Sequence, residues 1–125
     1  LRLLLDTHAL LWAVAEPDEL LDSARAEIAS GQNDVSFSAS SIWEIAIKSA
    51  AGRLEVPGDL VEQVLERNYA ALDITVEHAV AAGYLPPHHR DPFDRMLIAQ
   101  AQLEKLTIVT RDPRFDVYDV EVLAA

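Results

Sequence analysis

A chain of 125 residues suits one compact domain spanning residues 1–125, and with 50% hydrophobic residues its composition allows a real core. It has no cysteine, which excludes disulfides, thiolate nucleophiles and cysteine zinc sites and fits a reducing compartment. A net charge of −11 argues against a plain nucleic-acid coat protein, because a free acidic surface repels phosphate backbones.

The chain opens LRLLLDTHALLWA. Residues 1–5 read as a short buried strand, an apolar run stopped by the turn-prone Asp6. Arg2, the apolar stretch and AVA before Glu16 loosely resemble a signal peptide, but Asp6 and His8 would lie inside its apolar region. No run approaches the roughly 20 apolar residues of a membrane span. A soluble, cytoplasmic protein with no membrane partner is the expectation. Residues 8–15 read as a helix ended before Pro17, and 18–30 as a second with Gly31 just beyond it. VSFS, 35–38, reads as a strand. Ser40 or Ser41 then caps a helix to about Ala51, with Gly52 as its stop. An amphipathic helix over 59–68, a strand over 71–74 and a helix over 75–83 follow. YLPPHHRD is a loop, and Pro92 opens a long helix to about Lys105. TIVT, 107–110, and VEVL, 120–123, complete the strands.

Strands alternating with helices predict an α/β fold with a central, mainly parallel twisted sheet. In such sheets the ligand crevice lies outside the carboxyl ends of the strands. Asp6 ends the first strand and Asp112 falls two residues past TIVT, so both should reach one edge. Glu44 lies among Ile42, Trp43, Ile45 and Ile47, either on the exposed face of an amphipathic helix or partly desolvated. Asp91 before Pro92 is a natural N-cap, and Asp94 gains from the helix dipole and can reach back as a capping-box acid. Asp6 and Asp112 can each simply start a turn. Arg90, Arg95, Arg111 and Arg114 lie close in sequence to Asp91, Asp94 and Asp112, as surface charge or as a substrate-facing cluster.

Singly, each acid has a structural account; in combination they point to a site. Two unit charges ~4 Å apart repel by ~4 kcal/mol at an effective dielectric of ~20, so converging carboxylates must protonate or gather a cation. Oxygen ligands select hard ions such as Mg2+ or Mn2+, which acidify a bound water and stabilise a phosphoryl oxyanion. His8, His88 and His89 lack a tight HxxxH pairing, which disfavours zinc. His88 and His89 read as solvent-facing loop residues or as substrate contacts.

LLLDTHALLW, SIWEIAIK, DPFDRMLIAQA and TRD, in this order and spacing, resemble the motifs of the PIN-domain ribonucleases, and within them the VapC toxins of VapBC-type toxin–antitoxin pairs. The resemblance covers essentially the whole chain. It implies a PIN-like three-layer α/β/α fold and endonucleolytic cleavage of RNA dependent on Mg2+, with Mn2+ as a substitute. A metal-activated water would be the nucleophile, and a homodimer inhibited by a VapB-type antitoxin is implied. Matched residue by residue, Asp6, Glu44, Asp94 and Asp112 form the acidic quartet. Asp6 and Asp94 would be direct ligands; Glu44 and Asp112 would bind metal, orient its waters or assist proton transfer. Thr7 and Thr110 would hold the carboxylates by hydrogen bonds, and Asp91 would support the site from behind it. Arg95 would touch phosphate or make a helix-surface salt bridge.

Two other folds carry comparable acids. A haloacid-dehalogenase phosphatase needs an aspartate where His8 stands, and a receiver domain needs a paired acid near the first strand that is not evident. The alternative from another class is a non-catalytic PIN-fold protein-binding module, against which the complete quartet argues.

Overall fold

The computed structural model describes residues 1–125. Strand β1 (Arg2–Leu5) explains the apolar opening. Leu3, Leu4 and Leu5 are all fully buried. Side chains alternate along a strand, so Leu3 and Leu5 enter one core and Leu4 another. A strand covered on both faces has no polar side, which is why the run is continuous.

After β1 come α1 (Thr7–Ala15), a 3-10 turn at Pro17–Glu19, α2 (Asp22–Ala29), β2 (Asp34–Ser38) and α3 (Ala39–Ala50). Then follow α4 (Leu60–Glu66), β3 (Ala70–Leu72), α5 (Val76–Tyr84), α6 (Pro92–Glu104), β4 (Thr107–Thr110), a second 3-10 turn at Pro113–Val117, and β5 (Val122–Ala124). The sheet has the order β3-β2-β1-β4-β5. Every pairing is parallel, with Leu5 opposite both Phe37 and Val109. The chain winds outward from β1 to β3, then returns past β1 to β4 and β5. The reversal falls between β1 and β4, where a crevice opens at the carboxyl ends of the strands.

The two cores sit on opposite faces of β1. Leu3, Leu5, Val35, Phe37 and Val109 pack under Ala9, Leu10 and Val14 of α1, Ala24 and Ile28 of α2, and Leu60 and Val64 of α4. Leu4 and Ile108 pack under Leu97, Ile98 and Ala101 of α6, closed by Phe115 and Tyr118. Helix α5 lies against α6.

Several boundaries differ from the expectation for local reasons. The helix expected over 18–30 is broken: Pro17 opens a 3-10 turn, and Leu20 and Leu21 are extended before α2 begins. The break sends Leu20 into the core while Leu21 stays half exposed. Helix α3 is capped by Ser38, whose Oγ accepts from the Ser40 amide at 3.0 Å, and not by Ser40 or Ser41. Strand β2 therefore runs directly into α3. Gly52 does follow that helix, at φ 71°, a conformation that favours glycine. Thr75 caps α5, and His78 closes a capping box with it. The last strand forms at Val122–Ala124, shifted from 120–123.

Leu4→Ala should cost about 2–5 kcal/mol of stability, the usual range for truncating a buried leucine. Urea unfolding of wild type and mutant measures it; a cost below 1 kcal/mol would mean that the second core collapses onto the gap.

Candidate active site

Asp6 is the first residue past β1 and the N-cap of α1. Its amide donates to the Val109 carbonyl at 3.0 Å, which ties it to β4. Its Oδ1 accepts from the Ala9 amide at 2.8 Å and its Oδ2 from the Thr110 hydroxyl at 2.6 Å. Burial raises its pKa above the ordinary value and Asp112 adds to the rise, against the pull of the Thr110 and Ala9 hydrogen bonds and of His8.

Thr7 donates to Glu44 Oε1 at 2.6 Å, and its hydroxyl lies 3.1 Å from Ser41 Oγ. Glu44 is therefore buried and faces inward on α3, not out to solvent. Its other oxygen pairs with Lys48, one turn on.

At the start of α6 the two aspartates divide the work. Asp91 is the N-cap, and its Oδ1 accepts from the amides of Phe93 at 2.8 Å and Asp94 at 3.1 Å. Asp94 is thus free of the capping duty that the sequence also allowed it. Its carboxylate points into the crevice, and the nearest cationic or imidazole partner is His89, with Nε2 at 2.8 Å. Burial raises the pKa of Asp94 to about 7, helped by the charges of Asp91, Glu44, Asp6 and Asp112.

Asp112 caps the second 3-10 turn, accepting from the Arg114 amide at 2.9 Å. The Arg114 guanidinium grips both carboxylate oxygens, with Nη2 2.7 Å from Oδ2. That bond chiefly holds the Asp112 pKa below the ordinary value. Thr110 accepts from the Asp112 amide at 3.1 Å, so one hydroxyl links Asp6 and the Asp112 backbone.

These side chains line one cleft of about 420 Å³. Asp6, Glu44, Asp91, Asp94 and Asp112 supply acid; Lys48, Arg111 and Arg114 supply base; Trp12 and His8 form an aromatic ledge. Arg111 stacks over Trp12, 4.2 Å from the ring centre.

Two residues lie elsewhere than the sequence suggested. Arg95 is outside the cleft lining and pairs with no carboxylate. Its guanidinium donates to the carbonyls of Ala82, Gly83, Leu85, Pro86 and His89, and so fastens the end of α5 and the following loop onto α6. His88 is exposed, stacked edge-on against Tyr118, but His89 is 2% exposed and not a solvent-facing loop residue. Residue type does not separate the two histidines of PPHHRDP. The one usable signal is that His89 stands two residues before a predicted N-cap, where its Nδ1 accepts from the Asp91 amide at 3.2 Å.

A hard divalent cation fits this donor set. Burial and the charges of the neighbouring acids raise the Asp94 pKa to about 7, a cost that a cation would relieve, and Asp94 and Asp112 bring carboxylate oxygens within 4.8 Å of each other as hard ligands.

The family model for the PIN domain matches residues 3–121. No curated protein sequence matches the chain. Three solved structures are similar in fold over nearly the whole of both chains. One is VapBC2 from Rickettsia felis bound to a promoter DNA fragment, at 14% identity and TM-score 0.73, covering 98% of each chain. The second is DNA-bound VapBC from Salmonella typhimurium, at 16% and 0.69, covering 98% of this chain and 97% of that one. The third is FitAcB from Neisseria gonorrhoeae, at 22% and 0.62, covering 98% and 96%.

Between its ordinary pKa of 3.8 and about 7, folded Asp94 keeps a proton that the unfolded chain has released. The ion-free protein should therefore lose stability as pH rises through that window. Asp94→Asn should flatten the slope and melt higher than wild type in chelator at pH 8. Its lost helix-dipole interaction is worth only about 0.3–1 kcal/mol, against ~4 kcal/mol for one close pair of like charges. Thermal melts in chelator at pH 5 and pH 8 measure both effects. A mutant that melts lower at pH 8 would assign Asp94 to its helix and not to the cleft.

Proposed function

This chain belongs to the PIN-domain family, and from that premise we propose that it is an Mg2+-dependent endoribonuclease, with Mn2+ as a substitute, acting as the toxin of a type II toxin–antitoxin pair. The observation that carries the proposal is the meeting of Asp6, Glu44, Asp94 and Asp112 in one cleft at the carboxyl ends of β1 and β4. A non-catalytic binding module has no use for like charges gathered at that cost.

Asp6 and Asp94 would hold the cation, with Asp112 beside them. A bound divalent ion supplies charge for the phosphoryl oxygens and a water acidic enough to attack phosphorus near neutral pH. The protein's own part is positioning. Thr110 and the Ala9 amide fix Asp6, and Thr7 and Lys48 fix Glu44. Glu44 and Asp112 would orient water and accept its proton as it attacks. Lys48, Arg111 and Arg114 at the cleft rim would meet the phosphate backbone, which is otherwise repelled by the net charge of −11. Asp91 acts at one remove, by holding the Asp94 backbone.

The partner we propose is a VapB-type antitoxin. Similarity in fold to proteins solved as toxin–antitoxin complexes supports it, and an acidic cleft suits an arginine or lysine of an inhibitory segment. We also expect a homodimer, for which Val76, Val80 and Tyr84 on α5 offer exposed apolar surface. No helix is long and apolar enough to cross a membrane, and we place the protein in the cytoplasm with its RNA substrate.

Asp6→Asn and Asp94→Asn should each lower RNA cleavage by at least about 100-fold, more than the 10–100-fold typical of losing a residue behind a metal ligand. Circular dichroism should stay that of the wild type. Chelator should silence the wild type and Mg2+ or Mn2+ restore it. Attack by water also predicts products without a 2′,3′-cyclic phosphate, which mass spectrometry reads directly. Undiminished turnover by either mutant, or cyclic ends, would sink the site and the water route respectively.

Opposite charge should steer the basic segment of the antitoxin to the cleft, so its association rate should fall as salt rises. An on-rate indifferent to ionic strength in stopped flow would rule out steering.

A further inference from the structure

Every acid of the quartet except Asp94 is held by hydrogen-bond donors with good alignment: Asp6 by Ala9 and Thr110, Glu44 by Thr7 and Lys48, Asp112 by Arg114. Beside Asp94 stands His89, a residue the reaction outlined above does not use. It is fixed from several sides. Its amide donates to the Tyr118 hydroxyl at 2.8 Å, and that hydroxyl donates to the Pro86 carbonyl at 2.6 Å. Its carbonyl accepts from Arg95 at 3.1 Å, and its ring stands edge-on to the buried Phe115, 5.9 Å between centres.

The ring's hydrogen bonding sets its tautomer. Nδ1 accepts from the Asp91 amide, so it carries no hydrogen, and the ring proton sits on Nε2. Nε2 is sealed from solvent and has two carboxylate oxygens within reach, Asp94 Oδ2 at 2.8 Å and Asp112 Oδ2 at 3.7 Å. The nearer contact is off the axis of the N–H, so the donor lacks an aligned partner. The terminal torsion of an aspartate is broad, and a turn of the Asp94 carboxylate suffices to align it. A role as metal ligand would need a lone pair on Nε2 and a hydrogen on Nδ1. That hydrogen would face the Asp91 N–H, donor against donor.

We propose that His89 is a positioning residue whose Nε2–H orients the Asp94 carboxylate in the cleft. This rests on the cleft binding a divalent cation. A merely structural histidine would serve the loop and Phe115 and be indifferent to the donor at Nε2.

Two substitutions separate the ring's two nitrogens. His89→Gln keeps an N–H donor near the place of Nε2. His89→Asn keeps an acceptor for the Asp91 amide but presents nothing to Asp94. The probe is Mn2+ alone, titrated calorimetrically into the metal-free full chain. His89→Asn should weaken binding on the order of 10–100-fold, the range for losing a group that orients a ligand, and His89→Gln by no more than about threefold. Wild-type affinity in His89→Asn, or equal loss in both variants, overturns the proposal. Wild type that binds no Mn2+ overturns the cation reading itself, a separate result. One arm needs no substitution: nitrogen NMR of ring-labelled wild type, with and without Mg2+, should place the His89 proton on Nε2. A proton on Nδ1 in either state overturns the donor role.

Discussion

Several carboxylates kept out of water within reach of one another are a standing electrostatic cost, and the architecture around the cleft is arranged to hold them against it. Burial, with a contribution from Asp112, raises the pKa of Asp6, and burial with four neighbouring acids raises that of Asp94 to about 7. Left on mobile loops, such groups would swing apart. Here each is carried by a rigid element. Asp6 leaves a strand whose three leucines are fully buried, and Asp94 sits in the first turn of a helix whose inner face is core. The hydrophobic burial of those elements, about 1.5–3 kcal/mol for each large side chain, is what the repulsion works against.

The winding of the sheet explains why the acids meet where they do. All strands run the same way, so everything that leaves a carboxyl end emerges on one edge. The reversal between β1 and β4 opens a crevice there, lined by Asp6 just past β1 and Asp112 just past β4. Helix α3 follows β2 without a linker and brings Glu44 in from the side. Lys48, Arg111 and Arg114 line the same cleft, Lys48 paired with Glu44 and Arg114 with Asp112, so a protein of net charge −11 still places positive charge next to its acids.

Structural and chemical duties are shared between neighbours in sequence. Asp91 caps α6 and leaves Asp94 free; Asp112 starts a turn and also faces the cleft, because its second oxygen need not cap. Thr110 donates with its proton and accepts with a lone pair, which couples Asp6 to the backbone of Asp112. Arg95 spends its donors on five carbonyls of α5 and the loop behind it, and that loop carries His89 to Asp94.

The order of strands and helices was legible in the sequence because apolar runs, glycines and prolines act locally. The run LRLLL demands a strand buried on both faces, TIVT is a strand with the bounds its composition suggests, and Pro92 marks the first turn of α6. Alternation of strand and helix is likewise enough to call for a parallel sheet with its crevice at the carboxyl edge. What local pattern leaves undecided is which polar atom meets which. Leu20 and Leu21 are chemically identical, yet only the position of the core buries one and exposes the other. His88 and His89 are adjacent and alike, yet Phe115, Tyr118 and Asp91 from distant packing bury the second alone. Arg95 carries the same charge wherever it points, and only the closeness of the end of α5 turns it to carbonyls in place of phosphate. Sequence by itself determined the elements and the edge on which the acids emerge, since those follow from short-range sterics and hydrophobic periodicity. Tertiary structure alone decided the partners of each side chain, because hydrogen bonds and desolvation depend on atoms far apart in the chain and only ångströms apart in the fold.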